Sequence, residues 1–145
     1  MILYLDTSSL VKLYVAEKDS EVVTSLVARA TFVVTSRITC PEFYSALTRR
    51  RNSREINKQD YERLCAIFSE DWERITVFDF DEIEAGRLVR KHGLRGADAI
   101  HLATVMQLAG TNEELELVFS SGDGKLNLAA QAEGLALTVV ESELH

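Results

Sequence analysis

The sequence predicts an α/β fold in which a central parallel β-sheet is sandwiched by α-helices. Short apolar runs rich in β-branched and aromatic residues recur along the chain, which is typical of strands buried on both faces. Helical patterns separate these runs, and strands separated by helices pair in parallel under helices on both faces. The chain has 145 residues, of which 46% are hydrophobic. This size suits one domain with its own core, so residues 1–145 are expected to form a single domain.

The alternation defines five strands and seven helices. The predicted strands cover residues 2–5, 32–35, 75–78, 117–120 and 137–139. The predicted helices cover residues 7–16, 20–30, 39–51, 58–72, 82–92, 97–108 and 125–133. Glycines at positions 93 and 134 are typical of the residue that follows a helix, where a left-handed backbone is favoured.

Composition limits the classes of function. The net charge of −7 argues against broad electrostatic binding to nucleic acid, although acidic residues gathered in a metal site would raise the negative count. No apolar segment is long enough to span a bilayer, and the N-terminal MILYLD lacks the basic region of a signal peptide. Cys40 and Cys65 are far apart and form no metal-ligand pair, which favours a reducing compartment. A cytoplasmic location without membrane contact is therefore expected.

Four carboxylates occur at places that an α/β fold brings together. Asp6 and Asp123 follow predicted strands, Glu42 lies in the first turn of a predicted helix, and Asp98 lies within an apolar helical stretch. The carboxyl edge of a parallel sheet is where such folds bind ligands. Acidic side chains gathered there without an equal number of bases require a divalent cation. These four residues are the candidate catalytic and metal-binding set.

Three of the four carboxylates also have a structural explanation. Asp6 is suited to cap the helix that follows it, because an aspartate in that position accepts backbone N–H bonds. Thr39 and Glu42 have the spacing of a capping box, in which the glutamate reaches back to the first N–H. Asp123 lies between glycines, a pattern typical of turns. The sequence alone leaves both interpretations open for each of them.

Asp98 is harder to explain structurally, because a buried carboxylate costs several kcal/mol or more unless it is paired. Arg95 is close enough in sequence to pair with it. His101, one turn along the same helix face, either holds Asp98, faces a substrate, or is a satisfied core histidine. Asp79 and Asp81 also follow a predicted strand, but helix capping explains both and they are left outside the site.

Four segments resemble the PIN domain and, within it, the VapC-type toxins of bacterial toxin–antitoxin pairs. They agree in order and spacing, and the resemblance extends from end to end of the chain. The segments are LDTSSLVK at 5–12, EFYSAL at 42–47, LRGADAIHLA at 94–103 and FSSGD at 119–123, the last followed by matching positions 126, 129–130 and 134–135.

The resemblance implies a PIN-like fold and a ribonuclease, specifically an endonuclease, that depends on Mg²⁺, with Mn²⁺ as a substitute. It assigns the acidic site to Asp6, Glu42, Asp98 and Asp123, with supporting hydroxyls at Ser8 and Ser121. Asp6 and Asp98 are expected to hold the principal ion, and the other two carboxylates to bind through water or to hold a second ion.

The chain departs from the family pattern around Asp123, where relatives more often have a bulkier residue before the aspartate and a basic residue after it. Gly122 and Gly124 are expected to loosen Asp123, and Lys125 is the candidate for the displaced basic group.

The implied partners are an RNA substrate, a cognate antitoxin and a second copy of the chain. The run Arg49-Arg50-Arg51, with Arg54 and Lys58, would contact RNA phosphates, dock the antitoxin, or form a solvated helix end. The helices of residues 39–72 are expected to carry more than one apolar face, one covering the core and the other binding a second copy or an antitoxin helix. The residues of these faces are Phe43, Tyr44, Leu47, Tyr61, Leu64 and Phe68.

Two other functions compete with the nuclease. An aspartyl phosphatase or phosphotransferase would use Asp6 as nucleophile, but such a site would prefer a second aspartate at position 8, where this chain has Ser8. A non-catalytic α/β binding domain would use the strand-end aspartates only as helix caps.

Overall fold

The computed structural model describes residues 1–112, 114–134 and 138–140, and its centre is a five-stranded parallel sheet. The strand order is β3-β2-β1-β4-β5, so β1 lies in the middle. Ile2 pairs with Phe32 on one side and with Leu117 on the other. The strands are β1 Ile2–Leu5, β2 Phe32–Ser36, β3 Thr76–Phe78, β4 Leu117–Ser120 and β5 Thr138–Val140.

Seven helices connect the strands of the described chain. They are α1 Thr7–Val11, α2 Ser20–Arg29, α3 Thr39–Asn52, α4 Lys58–Trp72, α5 Glu82–His92, α6 Gly96–Ala109 and α7 Gly124–Ala132. All but the first agree with the predicted helices within one residue at each end. The predicted start of the last strand, residue 137, lies outside the described residues. Over the part of the chain that the structure describes, no helix combines the length and apolar character needed to cross a membrane.

The first helix is shorter than the prediction of residues 7–16. Helix α1 ends at Val11, and the chain continues in tight turns in which the Leu13 N–H donates to the Leu10 carbonyl. Tyr14 then packs its ring against Phe43, with centroids 5.0 Å apart, and donates its hydroxyl to Asp71 at 2.6 Å. Packing against α3 and α4 therefore overrides local helix propensity. The turn also brings residue 17 back towards α3.

The two faces of the sheet carry separate hydrophobic cores. Tyr4 points into the core formed with α5, α6 and α7, whereas Leu3 and Leu5 point into the core formed with α1 to α4. This alternation follows from the two-residue period of a strand. All three side chains are fully buried. Both faces of the central strand are therefore covered, as the sequence predicted.

Helices α3 and α4 bury most of the apolar residues predicted to form their two faces. Phe43, Leu47, Leu64 and Phe68 are all buried, and the Phe43 and Phe68 rings stack 3.7 Å apart. The two tyrosines of the predicted set, at 44 and 61, are half-buried. The four buried residues thus form the face predicted to cover the core, and only the two tyrosines remain for a second face.

Candidate active site

Four carboxylates line one pocket at the carboxyl edge of the sheet. Leu5 pairs with Ser120, so the residues that follow β1 and β4 emerge side by side and place Asp6 next to the loop of Asp123. Glu42 comes from the first turn of α3 and Asp98 from the first turn of α6. The pocket has a volume of about 370 Å³, within the range of ligand sites. The structure thus brings together the four predicted residues, which come from separate parts of the chain.

Asp6 is the most firmly held of the four carboxylates. One oxygen accepts hydrogen bonds from the Ser9 backbone N–H at 2.9 Å and from the Ser8 hydroxyl at 2.7 Å. The other oxygen accepts a bond of 2.5 Å from the Ser121 hydroxyl. The residue is only 2% exposed. Asp6 is therefore a helix cap and a pocket residue at once, and both predicted supporting hydroxyls contact it.

Hydrogen bonds hold the loop of Asp123 although glycines flank it. The Gly122 N–H donates to the Ser8 hydroxyl at 2.9 Å, and the Asp123 N–H donates to the Ser121 hydroxyl at 3.0 Å. A Cβ at position 122 would lie 3.3 Å from the Ser8 oxygen, which is a crowded distance. Glycine at this position therefore allows a close approach of the two loops. Lys125 does not supply a pocket cation as predicted, because it donates to the Gly93 carbonyl at 2.7 Å.

Glu42 belongs to the pocket and does not form the alternative capping box. Helix α3 is preceded by Ile38 as its N-cap, so Thr39 is already inside the helix. The Glu42 carboxylate accepts hydrogen bonds from the Thr7 hydroxyl at 2.6 Å and from His101 Nε2 at 2.8 Å. Burial on its own would raise the pKa of Glu42, but the bonds from His101 and Thr7 outweigh it and lower this pKa.

His101 connects the core to the pocket. It is 1% exposed, and its Nδ1 lies 2.8 Å from the hydroxyl of the fully buried Tyr4. Burial raises the pKa of Tyr4, so its hydroxyl remains protonated and can donate to Nδ1. These partners assign the histidine proton to Nε2, which donates to Glu42. His101 is therefore a satisfied core histidine, one of the interpretations that the sequence offered, and its carboxylate partner is Glu42 and not Asp98.

Arg95 bridges the two remaining carboxylates. Its Nε donates to Asp98 at 3.1 Å, and its terminal nitrogen lies 3.5 Å from Asp123. The Asp98 side chain is 14% exposed, whereas that of Arg95 is 81% exposed. Burial raises the pKa of Asp98; the Arg95 contact opposes this rise, and the negative charges of Asp123 and Asp6 add to it. The Asp98 charge is thus only partly compensated by the protein.

The donor set fits a hard divalent cation in its chemistry. All four predicted ligands offer carboxylate oxygens, which Mg²⁺ prefers over nitrogen and sulfur. As placed, however, no three acidic, histidine or cysteine side chains of the described residues converge closely enough to hold an ion together. The Arg95 guanidinium lies between Asp98 and Asp123 and supplies the positive charge there. Displacing this arginine would free two carboxylates for a metal.

The three arginines predicted as a basic contact surface divide between two places. Arg49 and Arg50 line the pocket together with the carboxylates. Arg51 instead lies over the ring of Tyr61, 4.5 Å from its centroid, in a cation–π contact. Only the first two are therefore positioned to act on a ligand in this pocket.

Sequence reasoning missed two residues that shape the pocket. Thr7 donates to Glu42 and lies 3.1 Å from His101, and its position between Asp6 and Ser8 was a signal that could have been used. Glu17 also lines the pocket. No sequence signal pointed to it, because the predicted helix of residues 7–16 would have carried it away from the site.

The two aspartates left outside the site lie away from the pocket. Asp81 caps α5 by accepting the N–H groups of Ile83 and Glu84, as predicted. Asp79 is not a cap but forms an ion pair of 2.9 Å with Arg37. Both side chains are therefore accounted for by local structure.

A parallel sheet between helical layers, with four carboxylates in one pocket at its carboxyl edge, defines a class of α/β domains with an acidic site. The sequence model of the PIN domain matches residues 3–137. The chain therefore belongs to the PIN-domain family. This result confirms the resemblance read from the four sequence segments.

Individual relatives agree with the family. Ribonuclease VapC45 of Mycobacterium tuberculosis is 29% identical over 140 residues, which cover 92% of each protein. The structure of FitAcB from Neisseria gonorrhoeae covers both chains completely with a TM-score of 0.67 and 20% identity. A toxin-antitoxin complex from Klebsiella pneumoniae matches with a TM-score of 0.55 and 18% identity, over 80% of this chain and 83% of that one. At these identities the two solved structures establish the shared fold.

Proposed function

We propose that the chain is a Mg²⁺-dependent endoribonuclease that acts as the toxin of a toxin–antitoxin pair. The observation that carries the proposal is the convergence of Asp6, Glu42, Asp98 and Asp123, from four separate segments, on one pocket. Residues 1–145 form a single PIN-like domain in this proposal. The activity is assigned to the cytoplasm, where RNA is available and where the two free cysteines stay reduced.

The comparisons with known proteins support both the ribonuclease activity and the toxin–antitoxin role in this proposal. The Mycobacterium tuberculosis relative that matches over nearly all of its length is named a ribonuclease. One of the solved structures with the same fold is described as a toxin-antitoxin complex. Both descriptions concern those proteins, and we extend them to this chain because its family and its acidic pocket agree with them.

The competing functions account for fewer observations. Helix capping explains Asp6 and Asp123, but the Glu42 and Asp98 carboxylates contact side chains and cap nothing. A phosphatase would need a carboxylate oxygen of Asp6 available for attack. Both oxygens already accept short hydrogen bonds from hydroxyl groups, which lowers their nucleophilicity. The nuclease proposal uses all four carboxylates.

Asp6 and Asp98 are the residues proposed to hold the metal ion directly, with Glu42 and Asp123 bound through water or holding a second ion. When bound, Mg²⁺ would activate water for in-line attack on the phosphodiester and neutralise charge on the phosphate. Mn²⁺, with similar preferences for oxygen ligands, would substitute.

The chain's own residues prepare the pocket for this chemistry. Two serine hydroxyls fix the orientation of Asp6, so its oxygens need no reorganisation when a cation arrives. His101 and Thr7 keep Glu42 ionised and aimed at the pocket. The uncompensated charge of Asp98 favours any cation that approaches it more closely than Arg95 does.

We further propose that a cognate antitoxin covers the pocket with a basic side chain and that the chain pairs with a second copy. The acidic pocket offers the antitoxin a complementary charge. For the homodimer, the half-buried tyrosines 44 and 61 are what remains of the predicted interface on α3 and α4. Light scattering tests the dimer, and a strict monomer would contradict it without affecting the nuclease.

The nuclease proposal is tested with Asp98→Asn. We expect Mg²⁺-dependent RNA cleavage to fall by about a thousandfold or more, because a principal metal ligand loses its charge. The melting temperature should stay the same or rise, since the folded state disfavours the ionised form of Asp98.

The matched control is Asp79→Asn, the same substitution at an aspartate whose partner is Arg37. It should cleave RNA at the wild-type rate. Cleavage by Asp98→Asn at the wild-type rate, in protein shown to be folded by circular dichroism, would refute the assignment of the active site.

A further inference from the structure

Next to the four carboxylates, an ion triad forms a basic side of the pocket. Glu17 accepts from Lys12 Nζ at 3.1 Å with one carboxylate oxygen and from an Arg50 terminal nitrogen at 2.9 Å with the other. The Lys12 and Arg50 side chains are only 13% and 22% exposed. These three residues, here called the Glu17 triad, come from the turn after α1 and from α3. Arg50 belongs to the basic run expected to contact RNA or the antitoxin, whereas Lys12 and Glu17 have no role in the nuclease described above.

The triad lies beside the acidic residues. Glu17 and Arg50 both line the pocket that contains the four carboxylates. The Lys12 ammonium is not part of this lining but lies 3.1 Å from Glu17, and a Cβ built at Gly122 would be 3.5 Å from its nitrogen. That same Cβ would be 3.3 Å from the hydroxyl of Ser8, which holds Asp6. The two charged regions are therefore direct neighbours.

The Glu17 triad has more positive charge than Glu17 neutralises. Two cations face one carboxylate, and Arg49 adds a third positive charge to the pocket lining. A lysine ammonium has three N–H donors and a guanidinium has five. Among the described residues, Arg50 donates hydrogen bonds to Glu17 and to the Ala46 carbonyl. Its Nε also lies 3.9 Å from a carboxylate oxygen of Glu55, which is a weak contact. Donors therefore remain for an anion that enters the pocket.

We propose that Lys12 and Arg50 bind a phosphate of the RNA backbone next to the phosphodiester that is cleaved. Glu17 is the positioning residue, because it holds both cations next to each other beside the pocket without neutralising their combined charge. A phosphate is the anion that fits, since its oxygens accept bonds from a lysine and an arginine at once. The inference rests on the proposed nuclease function and adds a substrate subsite to it.

The competing explanation is mechanical. The same contacts would simply attach the turn after α1 to helix α3, with no role in RNA binding. The two explanations predict different signs for the changes in RNA affinity that two substitutions cause. Arg50→Gln and Glu17→Gln break the same ion pair, so a mechanical role predicts that both change RNA affinity in the same direction or not at all. A phosphate subsite predicts opposite changes, because one variant removes a positive charge and the other a negative charge.

The experiment measures binding of the full-length chain to a fluorescein-labelled single-stranded RNA of mixed sequence by fluorescence anisotropy. It is done in EDTA, so that metal-dependent cleavage does not interfere, and over a series of salt concentrations. We expect Arg50→Gln to weaken binding about tenfold and to reduce the salt slope by about 0.7, the value of one phosphate contact on a single strand. Lys12→Gln should weaken binding and reduce the salt slope by similar amounts. Glu17→Gln should strengthen binding about threefold.

Arg51→Gln is the matched control, since it removes the same charge from the neighbouring position, where the arginine lies over Tyr61. It should change affinity less than twofold. Equal losses in Arg50→Gln and Arg51→Gln, or weaker binding in Glu17→Gln, would overturn the subsite and leave the nuclease proposal standing. A wild-type chain that binds no RNA in EDTA would also overturn the subsite, whereas the Mg²⁺-dependent nuclease is tested separately by Asp98→Asn. Thermal unfolding of each variant verifies that it is folded.

Discussion

At the scale of single residues, Arg95 is the group that competes with a metal ion for the carboxylates of the pocket. It contacts Asp98 and Asp123, two of the four candidate ligands. Its side chain is 81% exposed, and ion pairs that are open to solvent contribute at most about 1 kcal/mol. A divalent ion could therefore displace the guanidinium at low cost, after which both carboxylates would be available.

We predict that Arg95→Gln binds Mn²⁺ several-fold more tightly than the wild type. The substitution removes the positive charge that competes for Asp98 and Asp123. Isothermal titration calorimetry measures the affinity without any need for RNA. Arg49→Gln is the matched control, because Arg49 also lines the pocket but donates to the Ser45 hydroxyl. An equal gain in that variant would show a general charge effect and contradict a specific competition.

The site residues were predictable from sequence to the extent that chain position determines them. Asp6 and Asp123 follow strands, so their place at the carboxyl edge of the sheet follows from the fold class. The contact between His101 and Glu42 could not be predicted, because it depends on how α3 and α6 pack around β1. Hydrogen bonds between distant segments carry no local sequence signal.

At the scale of elements, Glu133 joins the ends of two helices. It follows α7, and it accepts hydrogen bonds from Lys91, His92 and Arg87 of the last turns of α5 at 2.7, 2.9 and 3.0 Å. The bond from Lys91 is the main reason that the pKa of Glu133 falls to about 2, although burial opposes this change. A carboxylate thus fastens the basic end of one helix to the end of another.

We predict that Glu133→Gln lowers the free energy of unfolding at pH 7 by about 1 to 2 kcal/mol, a value reduced because the cations are half exposed. The folded-state pKa lies below the ordinary value, so the stabilisation is present above about pH 4.5 and is lost as the pH falls towards 2. Urea unfolding at several pH values measures this. A stability difference that persists unchanged at pH 2 would contradict it.

Element boundaries show where sequence reasoning failed and why. Six helices were predicted closely because their apolar spacing, caps and glycine ends agree with one another. Helix α1 was predicted too long, since residues 12–16 keep a helical pattern while Tyr14 turns inward against Phe43 and Phe68. Helix α1 ends because Tyr14 packs against residues that are distant in sequence, so no local pattern marks this end.

At the scale of the whole molecule, the acidic pocket is the proposed target of both the metal and the antitoxin. If a basic antitoxin side chain occupies it, the two ligands compete for the same carboxylates. We predict that raising Mg²⁺ weakens inhibition by the cognate antitoxin in proportion to the Mg²⁺ concentration above its dissociation constant. Sodium chloride at matched ionic strength is the control for simple screening. Inhibition that is unchanged across the Mg²⁺ titration would contradict the competition.

The sequence predicted a parallel sheet covered on both faces, but it did not predict the order of the strands. Alternating strands and helices indicate parallel pairing with both faces covered. They do not determine which strand lies in the middle. The order β3-β2-β1-β4-β5 depends on a crossover from one side of β1 to the other, which occurs between β3 and β4. That choice is made by the packing of α5 and α6 on the face that buries Tyr4.

The central position of β1 also affects how the protein is made. Strand β1 pairs with β4, which is synthesised long after it, since Ile2 lies opposite Leu117. Such distant pairing forms late and slowly in folding. Asp6 and Asp123 meet only through that pairing. We therefore expect a nascent chain to lack the complete acidic pocket until β4 and the loop of Asp123 have been synthesised, so that the proposed nuclease cannot cut RNA before then.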